Sequence, residues 1–296
     1  MPPSASATAD AHLPSFPSLF RLDSKVALVT GGTRGLGLHA ASGLLQAGCS
    51  LVIVTSRKAD ACADAAAALN ALPNLAPGAR AVGIAADCSR VADIERLVGE
   101  VRKYTSHIDI LCANAGATWG SRFEDVDEKN GWDKVVDLNV KGVFFTIQKF
   151  TPLLTARATA ADPSRIIITA SVAGLGVGST GAMGAYSYSA SKAAVLHLAR
   201  NLAVELGPRN VLVNSIAPGF FMSRMAAGMM AAQGGEEALG KQSPNGRTGR
   251  PEDVAGAVVF LASRAGGHVN GGTVVLDGGR MLAAGGLERE ERLEKL

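Results

Sequence analysis

The sequence predicts an α/β protein in which one doubly wound parallel sheet carries helices on both faces. Three observations support this. Short apolar runs near 26–30, 51–55, 81–85, 108–113, 165–170, 211–216 and 273–276 alternate with helical patterns, as parallel strands joined by crossover helices do. The first run ends in a glycine-rich turn that opens a helix. The chain has 296 residues, 47% of them hydrophobic, which suits one large α/β unit with a sizeable core. No internal repeat of solenoid period is present.

The first strand, Lys25-Val26-Ala27-Leu28-Val29-Thr30, is an apolar run of buried-strand type. It leads into Gly31-Gly32-Thr33-Arg34-Gly35-Leu36-Gly37, and the next helix has an apolar face through Leu38, Ala41, Leu44 and Leu45. A lone glycine-rich loop can be a simple tight turn. Strand, glycine turn and helix in sequence form the setting of a dinucleotide site: the glycines let backbone amides approach a pyrophosphate, and the helix N-terminus favours its charge.

The second strand, Leu51-Val52-Ile53-Val54-Thr55, runs into Ser56-Arg57-Lys58. A cofactor with a free ribose 2′-hydroxyl usually meets an acidic residue here. A hydroxyl and two cations stand there instead, and the planar fork of Arg57 suits a 2′-phosphate. Arg34 adds a second positive charge. The expected cofactor is therefore NADP(H) and not NAD(H), the alternative being that Arg57 and Lys58 only start a solvated helix.

Further along, Tyr188 and Lys192 form a Y-x-x-x-K pair. On a helix this spacing puts both side chains on one face, with Cβ atoms roughly 5–6 Å apart. An ammonium near a phenol favours the phenolate and lowers its pKa from about 10, so the phenol can exchange a proton with a carbonyl oxygen. Alone, the pair also describes many surface helices.

Several segments together resemble the short-chain dehydrogenase/reductase family, over about residues 20–280 and in order. Thr30 to Gly37 resembles its T-G-x-x-x-G-x-G loop, and Asn114-Ala115-Gly116 its N-A-G turn. Asn139, Ser171, Tyr188 and Lys192 match its catalytic residues, and Pro218-Gly219 matches its P-G turn. Arg250-Pro251-Glu252-Asp253-Val254-Ala255 and Asp277-Gly278-Gly279 resemble its C-terminal signatures. The resemblance implies a Rossmann-type, seven-stranded parallel sheet in a single domain. It also implies that Tyr188 is the general acid in ketone reduction, that Lys192 lowers its pKa and holds the ribose, and that Ser171 orients the carbonyl. Asn139 would hold a water linking Lys192 to solvent. Asp87 and Cys88 fall where the family contacts adenine, and Phe221 and Ser223 where it contacts the nicotinamide amide or a phosphate. Within the family, Asp60-Ala61-Cys62-Ala63-Asp64, Gly116-Ala117-Thr118-Trp119-Gly120 and the long loop before Tyr188 most resemble NADPH-dependent 3-oxoacyl reductases of the rhamnolipid-biosynthesis type.

One departure concerns the substrate. Ser171 and Tyr188 are 17 positions apart, more than the common family spacing. The extra length lies in residues 174–184, which should border the substrate pocket. After the P-G turn, Phe220, Phe221, Met222, Met225, Met229 and Met230 precede Gly234 and Gly235. This segment reads either as a lid over the pocket or as ordinary helix packing. Trp119 reads as a pocket wall or as packing under the loop, and His197 as a packing or interface residue.

The net charge of +3, with no basic block, gives no reason to expect a nucleic-acid partner. Cys49, Cys62, Cys88 and Cys112 form no metal-binding pattern and fit a reducing, cytoplasmic setting. No apolar run reaches membrane-spanning length. Residues 1–20, rich in Pro, Ala and Ser, read as a flexible arm, with docking of Phe16, Leu19 and Phe20 on the body or a neighbouring subunit as the alternative, 21–280 as the enzyme domain and 281–296 as a charged tail. The resemblance further implies a homo-oligomer, tetramer or dimer, paired through helices around 131–157 and 186–206, and allows an acyl-carrier-protein partner. The expected function is an NADPH-dependent ketoreductase acting on an apolar 3-oxoacyl or polyketide-like ketone. The alternatives are an NAD(P)-dependent alcohol or polyol dehydrogenase, or a non-redox isomerase, cyclase or cofactor-binding regulator on the same fold.

Overall fold

A computed structural model of the chain describes residues 11–13, 15–222 and 234–283. The strands are β1 (Val26–Thr30), β2 (Leu51–Ser56), β3 (Arg80–Ala85), β4 (Ile110–Ala113), β5 (Ser164–Thr169), β6 (Val211–Pro218) and β7 (Thr273–Leu276). They form one sheet of order β3-β2-β1-β4-β5-β6-β7, with every neighbouring pair parallel. The apolar runs thus fall on strands as expected. β1, β2, β4 and β5 are almost wholly buried because helices cover both faces.

The numbered helices are α1 (Gly35–Gln46), α2 (Ala59–Asn70), α3 (Val91–Val101), α4 (Val143–Leu154), α5 (Tyr186–Leu206), α6 (Gly235–Lys241) and α7 (Pro251–Ala262). The core divides by face. Ile94, Leu97, Ile147, Phe150, Leu154 and Val195, from α3, α4 and α5, pack on one side of the sheet. Ala41, Leu44, Leu45, Ala65, Leu69, Val254 and Val258, from α1, α2 and α7, pack on the other. Phe150 is fully buried, and truncating such a side chain to Ala costs about 3–5 kcal/mol.

Two features of this frame place the site. The chain runs outward from β1 to β3, then returns to lay β4 on the other side of β1. The order therefore reverses between β1 and β4, and in open α/β sheets the ligand crevice lies at the carboxyl ends of the strands flanking such a reversal. The far edge is held by amide clamps: Asn214 Nδ2 donates to Val269 O at 2.7 Å, and Gly272 N–H donates to Asn214 Oδ1 at 2.9 Å.

Within the segment expected to be an arm, residues 15–20 are tied to the body. Ala265 N–H donates to Leu19 O at 3.2 Å, and Arg264 Nη2 donates to Ser18 Oγ at 2.8 Å. Of the tail expected from 281, residues 281–283 continue a short 3-10 turn and the rest lies outside the described residues.

Candidate active site

The glycine turn after β1 is built by contacts across the β1–β4 crevice. Thr30 Oγ1 accepts the backbone N–H groups of Asn114 and Ala115, each at 3.0 Å. Asn114 Nδ2 donates back to Thr30 O at 3.0 Å and Gly31 O at 3.3 Å. Gly31 has φ +64°, and a Cβ there would sit 2.9 Å from Ala115 Cα. A Cβ at Gly37 would run into the Gly31 carbonyl oxygen and Asn114 Nδ2. Only glycine leaves this approach open, with the first turn of α1 facing the crevice. Thr33, Gly35 and Leu36 belong to the same partly exposed turn, and Arg34 is exposed at its mouth.

At the end of β2, Ser56 is half-buried, whereas Arg57 and Lys58 are exposed beside the same crevice edge. Beyond β3, Asp87 Oδ1 accepts Ser89 N–H at 3.0 Å and Ser89 Oγ–H at 2.7 Å. The Cys88 side chain is buried, which pushes its thiol up to about 12 and keeps it uncharged. A backbone-lined cradle, a helix N-terminus and exposed cations at the end of β2 fit a dinucleotide with a 2′-phosphate.

The four residues expected to carry the reaction converge at the carboxyl ends of β4, β5 and β6. Asn139 is fully buried in a π-helical turn, Asp137–Gly142, that runs into α4; such widened turns often occur at functional positions. Its Oδ1 accepts Ala117 N–H at 2.8 Å, and its Nδ2 donates to Ala117 O and Ser191 Oγ, both at 2.9 Å. Ser191 Oγ donates to Tyr188 O at 2.7 Å. Asn139 therefore ties the turn after β4 to the helix bearing Tyr188, and its side chain is spent on that scaffold. Gly116 keeps space beside it: a Cβ there would lie 3.3 Å from Asn139 Oδ1 and 3.5 Å from Lys192 Nζ.

Ser171 follows β5 and is buried. Its hydroxyl accepts Ala173 N–H at 3.2 Å, lies 3.4 Å from Pro218 O, and is hydrogen-bonded to the Tyr188 phenol. Lys192 is buried, donates from Nζ to Thr169 O at 2.7 Å, and sits 5.6 Å from the centre of the Tyr188 ring.

The electrostatics correct one expectation. The protein's own groups raise the Tyr188 pKa: burial raises it, and the Ser171 hydrogen bond lowers it by less. Lys192 is not among the groups that shift the phenol, and burial lowers its own pKa from 10.5 to about 8. Tyr188 is therefore held as the neutral phenol at neutral pH, and Lys192 keeps its proton below about 8.

Pro218 and Gly219 close β6, where Gly219 N–H donates to Leu276 O at 3.0 Å. Phe221 packs its ring into the core against Gly249, so its backbone is the part left to face a ligand. Ser223, Met225, Met229 and Met230 lie outside the described residues. The long loop packs directly on α5: Gly174 abuts the Lys192 backbone, Gly178 abuts Ser189, and Ser121 N–H donates to Gly184 O at 3.1 Å. Exposed apolar side chains lie on it and beside it: Leu175, Val177 and Met183 in the loop and Phe123 against Tyr186. The Trp119 ring rests over Gly131 at the same rim.

Residues 31–280 match the family described as "Enoyl-(Acyl carrier protein) reductase". The chain is a member of the short-chain dehydrogenase/reductase family. It is 42% identical to the rhamnolipids biosynthesis 3-oxoacyl-[acyl-carrier-protein] reductase of Pseudomonas aeruginosa over 262 residues, covering 88% of this chain and 97% of that one. It is 35% identical to 2-dehydro-3-deoxy-D-gluconate 5-dehydrogenase of Escherichia coli, again over 88% and 97% of the two chains. A solved Pseudomonas aeruginosa RhlG/NADP active-site complex superposes with TM-score 0.81 at 41% identity, covering 89% of this chain and 98% of that one.

As a member of this family, the chain is an oxidoreductase acting on alcohol or ketone groups. Sequence reading of this short-chain dehydrogenase/reductase passed over Ser191 and Thr30. Ser191 lies inside the motif block beside Lys192, but a serine on a helix gives no local sign that it bonds a residue 52 positions away. Thr30 read as a strand end and the first residue of the glycine motif, with no local sign that its hydroxyl holds two amides of the facing turn.

Proposed function

We propose that this protein is an NADPH-dependent ketoreductase that converts an apolar ketone, of 3-oxoacyl or polyketide-like type, into a secondary alcohol. The observation that carries the reading is the convergence of a neutral, Ser171-bonded Tyr188 phenol and a buried Lys192 ammonium next to the glycine cradle. When bound, NADPH supplies the hydride. Ser171 and Tyr188 donate hydrogen bonds to the substrate oxygen, where negative charge develops. Tyr188 then gives its proton to that oxygen, so the C=O becomes H–C–O–H and the phenol a phenolate. Lys192, protonated below about 8, returns a proton to the phenolate. Arg57, with Ser56, Lys58 and Arg34, holds the 2′-phosphate, while Asp87, Cys88 and the backbone at Asn114, Ala115, Gly116, Gly219 and Phe221 line the remaining groove.

The rim of Phe123, Leu175, Val177 and Met183 supports an apolar substrate. A groove between α4 and α5, lined by Phe144, Ile147, Leu202 and Leu206, supports self-association into a dimer or tetramer. No described helix is long and apolar enough to cross a membrane, and a cytoplasmic location accords with four buried free thiols. The test is NADPH against NADH oxidation with a ketone panel that includes 3-oxoacyl esters and aromatic polyketide-like ketones. NADPH consumed well ahead of NADH is the expected result. Tight NADPH binding with no turnover across the panel would count against a reductase.

A further inference from the structure

Arg280 is a cation that the reaction outlined above does not use. It follows the Asp277-Gly278-Gly279 turn after β7. Its guanidinium carbon stands 4.4 Å from the centre of the Phe220 ring. Phe220 directly follows Pro218-Gly219, and the Pro218 carbonyl is the oxygen beside the Ser171 hydroxyl. The neighbouring Met281 reaches the other wall, with its Cε 3.7 Å from a Cβ position on Gly176 in the long loop. Arg280 therefore packs on the segment that follows the Pro218-Gly219 turn, and its neighbour Met281 touches the long loop.

Its hydrogen bonding is incomplete. Nη2 donates to the neutral amide oxygen of Gln242 at 2.5 Å. Asp277, the carboxylate whose field reaches it, spends Oδ1 on Gly279 N–H and Oδ2 on Met281 N–H, both at 2.8 Å. Nη1 is shielded from solvent and has no partner among the described residues. A shielded donor left unmade is costly, and a guanidinium fork is shaped for two oxygens of a carboxylate or phosphate. The Phe220 ring holds the plane of that fork.

We infer that Arg280 is a substrate-contacting specificity residue that binds an oxyanion, carboxylate or phosphate, carried by the ketone away from its reacting carbonyl. The inference rests on the ketoreductase reading and adds a charged end to an otherwise apolar substrate.

The test uses pairs of ketones that differ in charge alone: a 5-oxo carboxylic acid and its methyl ester, and 3-oxoacyl thioesters of phosphopantetheine and of pantetheine. In wild type the charged member of at least one pair has the higher kcat/KM. Arg280→Met lowers that value by roughly 10- to 100-fold and leaves the neutral member within about twofold. Arg280→Lys, which keeps the charge without the fork, falls between. The pair that responds identifies the oxyanion. Equal losses on both members, or none on either, would overturn the inference. If wild type turns over no ketone, the ketoreductase reading fails separately. Titration of the same probes into the NADPH complex then decides Arg280: weaker binding of the charged probe to Arg280→Met supports the inference, and unchanged binding overturns it.

Discussion

The glycine turn after β1 and the rim around the Ser171–Tyr188 crevice are both loops at the same end of the same sheet, yet they are built in opposite ways. The turn is locked by backbone. Thr30 and Asn114 cross-link it to β4, and no space remains for a side chain at Gly31 or Gly37. The rim presents side chains to solvent: Val177 is 93% exposed, Phe123 71% and Met183 58%. A pyrophosphate is the same in every turnover, so a rigid backbone cradle suits it. A ketone is recognised by shape and polarity, which replaceable side chains supply with little consequence for the fold. The residues expected to carry the reaction share the character of the turn: Asn139, Ser171 and Lys192 are buried, and Asn139 and Ser191 brace the helix that bears Tyr188.

Substitutions should sort along that divide. The largest effect is expected from Tyr188→Phe, which removes the proton donor. Reduction should slow by roughly 10²- to 10⁴-fold with NADPH affinity retained, as read by single-turnover kinetics and fluorescence titration. Arg57→Ala should cost NADPH, but not NADH, roughly 10- to 100-fold in affinity, about 1.5–3 kcal/mol for a charge-assisted hydrogen bond to phosphate. An unchanged NADPH/NADH ratio would move the phosphate clamp elsewhere.

Gly37→Ala puts a Cβ into the Gly31 carbonyl and Asn114. It should cost about 1–3 kcal/mol of stability in chemical denaturation and weaken NADPH binding with it. A neutral result would mean that the turn is less rigid than its contacts indicate.

Lys192 gives a pH signature. Because its proton is held only to about 8, kcat for reduction should be level to about pH 7 and fall as pH rises beyond 8. Stability should move the other way. Between about 8 and 10.5 the unfolded chain binds a proton that the folded chain has released, so wild type gains stability with rising pH across that window. The gain is on the order of 3 kcal/mol at most, and Lys192→Met should lack it in pH-dependent melts. At the other end of the scale, Val177→Ser on the rim should change stability by less than about 0.5 kcal/mol and alter KM for apolar ketones only.

Much of this protein is determined by its sequence alone. The seven strands, the glycine turn and the Tyr188–Lys192 pair are legible because they depend on local rules: side-chain periodicity, the steric freedom of glycine and the pitch of a helix. The identity of the reaction follows from residue types that keep their meaning out of context. Tertiary structure decided what those residues experience. It turned the Asn139 amide to Ala117 and Ser191, set the Tyr188 pKa upward and the Lys192 pKa downward, and brought Arg280 against Phe220. Each of these depends on burial or on contact between residues far apart in the chain. Desolvation and hydrogen-bond partners take effect only when the chain has closed around them, so no local pattern records them in advance.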